Sequence, residues 1–180
     1  MGAAVMCVLC VAIAASGASP QAPAANAVSG AIKSAWDGAK KNIKDSAEQM
    51  PEADYAFKPV ATVRSFGEVL AHVAGASYVF CSAAKGEKSP FSEEHFEKAA
   101  TTKAQIVKAV ADAMTYCDGV YGALTDAKAG QSIEMPFGMG KGPGATALMM
   151  NTGHLLEHYG NLVTYLRIEG MVPPTSRRAP

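Results

Sequence analysis

The chain has 180 residues, 49% of them hydrophobic and 18% charged, with 16 basic and 16 acidic side chains in balance. That length and composition fit one packed domain with a sizeable core rather than a disordered chain. A formal charge of zero, with no basic cluster apart from Arg177–Arg178 in the tail, leaves no field to draw nucleic acid or an anionic membrane surface, and neither is expected as a partner.

Residues 1–18 carry no charged side chain and hold an apolar run from Ala3 to Ala15, ahead of Ser16-Gly17-Ala18 with small residues where a signal peptidase reads. They are expected to be a cleavable signal peptide, although the usual Lys or Arg is missing at the start. The run is shorter than the roughly 20 apolar residues that cross a bilayer, so no stable membrane anchor is expected and the mature protein would be periplasmic or secreted. Leu9 before Cys10 argues against lipoprotein processing. Cleavage would remove Cys7 and Cys10 and leave Cys81 and Cys117.

A Pro- and Ala-rich spacer, 19–26, leads into the domain proper, 27–176. Val28, Ile32, Trp36, Ala39, Ile43, Ala47 and Met50 recur at helical spacing until Pro51 stops them, which predicts helix one. A connection containing Pro59 reaches Ser65-Phe66-Gly67-Glu68, which has the form of a capping box, and helix two follows to about Gly86. Ser89-Pro90 and Ser92-Glu93-Glu94 open helix three, whose apolar face of Phe96, Ala100, Ile106, Val110, Met114, Cys117, Tyr121 and Leu124 carries it to about Asp126. The Gly- and Pro-rich stretch from Ala127 to Gly144 reads as a long loop, in which residues 132–135 could be extended. Helix four spans about Ala145 to Glu169, with Gly170 as its cap and Pro173-Pro174 beyond.

The predicted fold is therefore all-α, a four-helix bundle. Long connections at 51–64 and 127–144 and a short one between helices two and three point to an up-up-down-down order, because a short link makes neighbours antiparallel. In that order Cys81 and Cys117 lie on the order of 25 Å apart at ~1.5 Å of rise per residue, and both are expected to be buried free thiols.

His154 and His158 stand one helical turn apart and share a face, with Asn151, Asn161 and Tyr165 within about 40° of their mean direction at roughly 3.6 residues per turn. Leu148, Leu155, Leu162 and Leu166 cluster on the adjacent arc, so the histidines fall at the edge of the buried face, where a cleft could open. His72, two turns into helix two, could add a third imidazole and complete one side of a metal's coordination sphere. Three neutral imidazoles suit a divalent ion, zinc or nickel foremost, with iron(II) left open. Spacing alone also permits an ordinary, metal-free pair, and His154-Leu155-Leu156-Glu157-His158 lacks the glutamate position of the His-Glu-x-x-His motif. Glu68 could accept the ring N–H of His72, or serve only in the cap with Ser65. Tyr165 or Asn151 could orient a substrate, and the 127–144 loop could cover the cleft. His95, among Glu93, Glu94 and Glu97, reads as a solvated helix residue, and Trp36 and Phe66 as core.

Several segments together resemble the DinB-like (DinB/YfiT) superfamily: Met50-Pro51-Glu52 with Tyr55, Phe57 and Pro59; Arg64-Ser65-Phe66-Gly67-Glu68; His72; and His154-x-x-x-His158-Tyr159-Gly160-Asn161 through Tyr165-Leu166-Arg167, Gly170 and Pro173-Pro174. The resemblance covers essentially the whole mature chain. It implies a four-helix bundle, often a homodimer, in which His72, His154 and His158 bind a divalent metal. Asn161 departs from the glutamine common at that position, which bears on helix packing or on contacts behind the ligands, and an export signal is unusual for the superfamily.

Three readings follow. The resemblance implies a metal-dependent enzyme acting on a small molecule, akin to the superfamily's thiol S-transferases or a hydrolase. The absence of an evident nucleophile or acid/base residue beside the histidines points instead to an exported, non-enzymatic metal- or ligand-binding bundle, and a structural bundle with vacant histidines is the third possibility.

Overall fold

The computed structural model describes residues 1–2 and 25–177. The export signal over 1–18 and most of the 19–26 spacer lie outside the described residues. Among those described, no helix is long and apolar enough to cross a membrane.

Helix α1 spans Ala27–Gln49, α2 Phe66–Lys85, α3 His95–Ala99, α4 Lys103–Gly122, α5 Asp126–Ala129 and α6 Gly144–Ile168. Strands β1, Ser132–Glu134, and β2, Lys141–Pro143, form an antiparallel hairpin in the register Ile133↔Gly142. The ends of these elements follow local chemistry. The Ser65 hydroxyl accepts from Glu68 N while the Glu68 carboxylate accepts from Ser65 N, the reciprocal cap expected from the sequence. Gly86 closes α2 at φ 72°, a left-handed conformation in which a Cβ would be strained. The start of α1 has no cap of its own, and Asp126 supplies one from across the bundle by accepting from the backbone N–H groups of Val28 and Ser29.

Helices α1, α2, α4 and α6 form the bundle, and their apolar faces meet in one core. Trp36 stacks on Tyr121 with ring centroids 4.4 Å apart, and Ile43, Met50, Phe66, Leu70, Met114, Leu148, Leu155, Leu162 and Leu166 are fully buried around them. Burying each such leucine or phenylalanine is worth about 1.5–3 kcal/mol.

The order of helix directions corrects the up-up-down-down expectation. Near its start α2 touches the start of α4, Gly67 lying against Ile106, and near its end Ser82 meets Tyr116 of α4. Those two helices are parallel. Helix α6 runs against α2, since Arg64 just before α2 binds Tyr165 while Cys81 lies near Asn151. Helix α1 runs against α4, with Trp36 bonded to Asp118 at one end and the Met50 carbonyl to Lys103 at the other. The order is up-down-down-up. The long 50–65 connection does not cross the bundle but turns the chain back beside α1, Phe66 N donating to Phe57 O and Tyr55 Oη to Ala47 O.

The crossing segment is the link from α2 to α4, which sequence periodicity had partly absorbed into one long helix. The predicted helix breaks at Ala100, which is extended, and restarts at Thr102, whose hydroxyl and Gln105 form a second capping box. Residues 87–101 thereby climb back along α2. Glu93 passes over Gly75, and Glu97 reaches Arg64 at the start of α2.

Parallel α2 and α4 also bring Cys81 and Cys117 level, with Cα atoms 5.6 Å apart and a disulfide between them. The expectation of two free thiols is thus overturned, because the 25 Å separation assumed antiparallel neighbours. In the 127–144 region, part of the expected loop is the short helix α5 and the β1–β2 hairpin.

Candidate metal centre

His72 comes from α2, and His154 and His158 from the facing side of α6, where antiparallel packing sets the three rings together. His72 and His158 are buried, and His154 is half-buried. Their Nε2 atoms converge: His154 Nε2 lies 3.1 Å from His72 Nε2 and 3.0 Å from His158 Nε2. Asn161, one turn past His158, brings its amide to 3.3 Å from His158 Nδ1.

Protons cannot reconcile these contacts. A neutral imidazole nitrogen has either one N–H or one lone pair, so His154 Nε2 can make one good hydrogen bond to its two neighbours and not both. A charged ring is no remedy, because burial, followed by the mutual influence of the other rings and Arg64, holds His154 down at about 3 and His158 at about 4. His72 is lowered as well, by burial and then Arg64, against the opposing pull of Glu93 and Glu97. A cation at the shared point satisfies all three lone pairs at once. Metal–nitrogen bonds of about 2.0–2.1 Å place donors about 2.9–3.4 Å apart at octahedral or tetrahedral angles, which matches the spacing of the rings. The donor set therefore fits a divalent ion, and these three side chains could hold one.

Around the rings the surroundings differ by side. Glu97 Oε1 stands 3.3 Å from His72 Nδ1, and Glu93 Oε1 stands 3.4 Å from His72 Nε2. His158 opens into a cleft of about 600 Å³ shared with Arg64, Glu68, Glu97, Asn161 and Tyr165. On the other flank Phe80 packs against the His154 ring at 5.7 Å, and Phe137 from the turn between β1 and β2 packs edge-on to Phe80 at 5.4 Å. Phe137 is half exposed and has a positive φ of 57°.

The residues singled out in the sequence divide accordingly. Asn161 and Tyr165 line the cleft, and the Tyr165 hydroxyl donates to the Arg64 carbonyl at 2.9 Å. The Glu68 carboxylate is engaged by Ser65 N and Lys58 rather than by His72. Asn151 is fully buried beside the disulfide and Tyr121, away from the cleft. His95 stacks on Phe91 at 4.6 Å and stays exposed. Sequence periodicity runs Glu93 and Glu97 into one continuous helix and gives no sign of their approach to His72. The spacing Thr102-x-x-Gln105, a capping box inside that apparent helix, was the signal that would have separated them.

Known proteins share both the fold and the sequence pattern. The family model of the DinB superfamily matches residues 35–162. The uncharacterized protein YjoA of Bacillus subtilis (strain 168) is 26% identical over 147 residues, covering 79% of this chain and 91% of YjoA. The crystal structure of YjoA superposes with a TM-score of 0.63 at 21% identity, over 82% of this chain and 99% of that one. A DinB-like protein from Bacillus cereus ATCC 10987 gives a TM-score of 0.67 at 17% identity, over 79% and 93% of the two chains. A mycothiol-dependent maleylpyruvate isomerase shares the fold with a TM-score of 0.62 at 12% identity, over 74% of this chain and 60% of its own. With the family's pattern running through more than half of the sequence and the bundle matched end to end by YjoA, the chain belongs to the DinB superfamily.

Proposed function

We propose that this protein holds a divalent ion of the zinc or nickel class on His72, His154 and His158, and acts as a metal-dependent thiol S-transferase or hydrolase on a small molecule. The observation that carries the reading is the pair of Nε2 contacts meeting at His154, whose single lone pair or single N–H cannot make two well-aligned hydrogen bonds. When bound, such an ion would lower the pKa of a water or thiol at the position the three imidazoles leave free.

The chain's own residues supply the rest. The Arg64 guanidinium, the Asn161 amide and the Tyr165 ring line the cleft that His158 opens into, and would orient a polar small molecule there. Phe80 and Phe137 form an apolar wall on the His154 side, which would limit water. Glu93, with an oxygen 3.4 Å from His72 Nε2, stands beside the point where the rings converge and could take up a proton. Kinship in fold with a mycothiol-dependent isomerase supports thiol chemistry as the first class to test.

Export is part of the same proposal. The disulfide between Cys81 and Cys117 suits an oxidising compartment and agrees with the apolar leader. The same disulfide favours a second reading, because it leaves no free thiol as nucleophile among the described residues: an exported bundle that binds metal or a small ligand without turning it over.

Elemental analysis of untagged protein purified without chelator tests the metal, with one ion per chain expected. A turnover screen with low-molecular-weight thiols and with ester or amide substrates separates the two readings. Metal-dependent turnover abolished by His154→Ala, with the helical circular dichroism intact, supports the enzyme. Stoichiometric metal with no turnover supports the binding module, and absence of metal overturns the enzyme and the metal-binding form of the second reading, leaving a bundle that binds a small ligand.

A further inference from the structure

We propose that Glu97 is the positioning residue of the histidine cluster: the acceptor that keeps the proton of His72 on Nδ1 and so presents its Nε2 lone pair to the shared point. This rests on the metal-binding reading above.

A neutral imidazole that gives Nε2 to an ion must carry its proton on Nδ1. His72 Nδ1 is buried and has no aligned hydrogen-bond partner among the described residues. A buried N–H left without an acceptor is destabilising and favours the wrong tautomer or the wrong ring orientation. Glu97 Oε1 is 3.3 Å from that nitrogen and is the carboxylate oxygen that faces it. Glu93 does not compete for this role, because its oxygen faces Nε2 on the other side of the ring.

The carboxylate is held in place by its own partners. Arg64 Nε is 3.0 Å from Glu97 Oε2 and Nη2 is 3.4 Å from Oε1. The Arg64 carbonyl in turn accepts from Tyr165 on α6, the helix that carries His154 and His158. A continuous path therefore links the helix that carries His154 and His158 to His72: α6 through Tyr165 to Arg64, Arg64 to Glu97, and Glu97 to His72 on α2. It depends on the crossing segment, since Glu97 belongs to α3.

Zinc affinity, measured by competition with a chromophoric chelator, tests the assignment in four proteins: wild type, Glu97→Ala, His72→Ala and the double variant. Glu97→Ala should weaken zinc binding about 10–100-fold, the range for removing a group behind a metal-bound histidine. In the His72→Ala background the same substitution should change affinity less than about 2-fold, because a residue that acts through His72 has nothing left to act on. Glu97→Gln, which keeps an acceptor oxygen and the side-chain shape, should lose less than Glu97→Ala. Independently, NMR of the zinc-loaded protein should show a slowly exchanging His72 Nδ1 proton in wild type that is lost in Glu97→Ala. Unchanged affinity in Glu97→Ala, equal losses in both backgrounds, equal losses for Gln and Ala, or an Nδ1 proton that persists in Glu97→Ala would each overturn the assignment. Wild type that binds no zinc overturns the metal reading itself and this inference with it, an outcome distinct from the others.

Discussion

Gly75 of α2 lies directly beneath the backbone of Glu93, so that a Cβ added to Gly75 would fall inside contact distance of the Glu93 carbonyl oxygen and 2.9 Å from Ser92 O. The absent side chain is what lets the crossing segment lie flat on α2, and that segment brings Glu93 and Glu97 to His72. Because the opposing atoms are backbone, Gly75→Ala cannot be absorbed by a rotamer change. It should cost about 1–3 kcal/mol of stability despite alanine's better helix propensity, and should weaken zinc binding at the same time. Chemical denaturation and a zinc titration on the same variant check both effects.

Opening the Cys81–Cys117 disulfide should lower stability by about 3–4 kcal/mol, the chain-entropy value for a loop of this length. Denaturation of the Cys81→Ala/Cys117→Ala variant against the oxidised wild type measures it. Thiol titration of the unfolded protein lacking residues 1–18, and with them Cys7 and Cys10, should find no free sulfhydryl without reductant; two would show the bridge to be absent.

Acid should destabilise the metal-free protein through the histidines. The unfolded chain protonates His154 and His158 near 6.5, whereas the native state holds them at about 3 and about 4, so between those values the unfolded state binds more protons. Stability should therefore be level above about pH 7.5, fall as the pH drops through 6.5, and go on falling towards 3–4. The mid-point of thermal unfolding followed from pH 8 to pH 4 should show this slope in the chelator-treated wild type and a shallower one in His154→Gln.

Adding zinc to the chelator-treated protein should raise the unfolding temperature in a concentration-dependent way, as binding to the native state alone requires. Protein loaded at a hundred times its dissociation constant should gain about 2.7 kcal/mol. His154→Ala, which removes the nitrogen common to both close contacts, should abolish the shift.

Within the site, the sequence already contained the three histidines that converge but not their surroundings. His154 and His158 share a face through helical periodicity alone, and a histidine two turns into α2 was placed by the Ser65–Glu68 cap that starts the helix. Glu93 and Glu97 lie more than twenty residues from His72 in the chain; the Thr102–Gln105 cap marks a helix break after them, but it does not say that they fold back over α2. Phe137 was likewise one residue of an apparent loop until the hairpin set it against Phe80 and, through it, His154.

The first, second and last long helices, the Ser65–Glu68 cap, the apolar faces and the residue types that can ligate a metal are properties of short stretches of chain, set by hydrogen bonds and side-chain spacing over a few residues, and the sequence by itself determined them. Helix direction, the pairing of Cys81 with Cys117 and the approach of Glu97 to His72 were decided only by the tertiary structure. All three depend on the path of the link between α2 and α4, whose length permits more than one route. The route taken is selected by contacts far apart in sequence: Gly75 with Glu93, and Arg64 with Glu97.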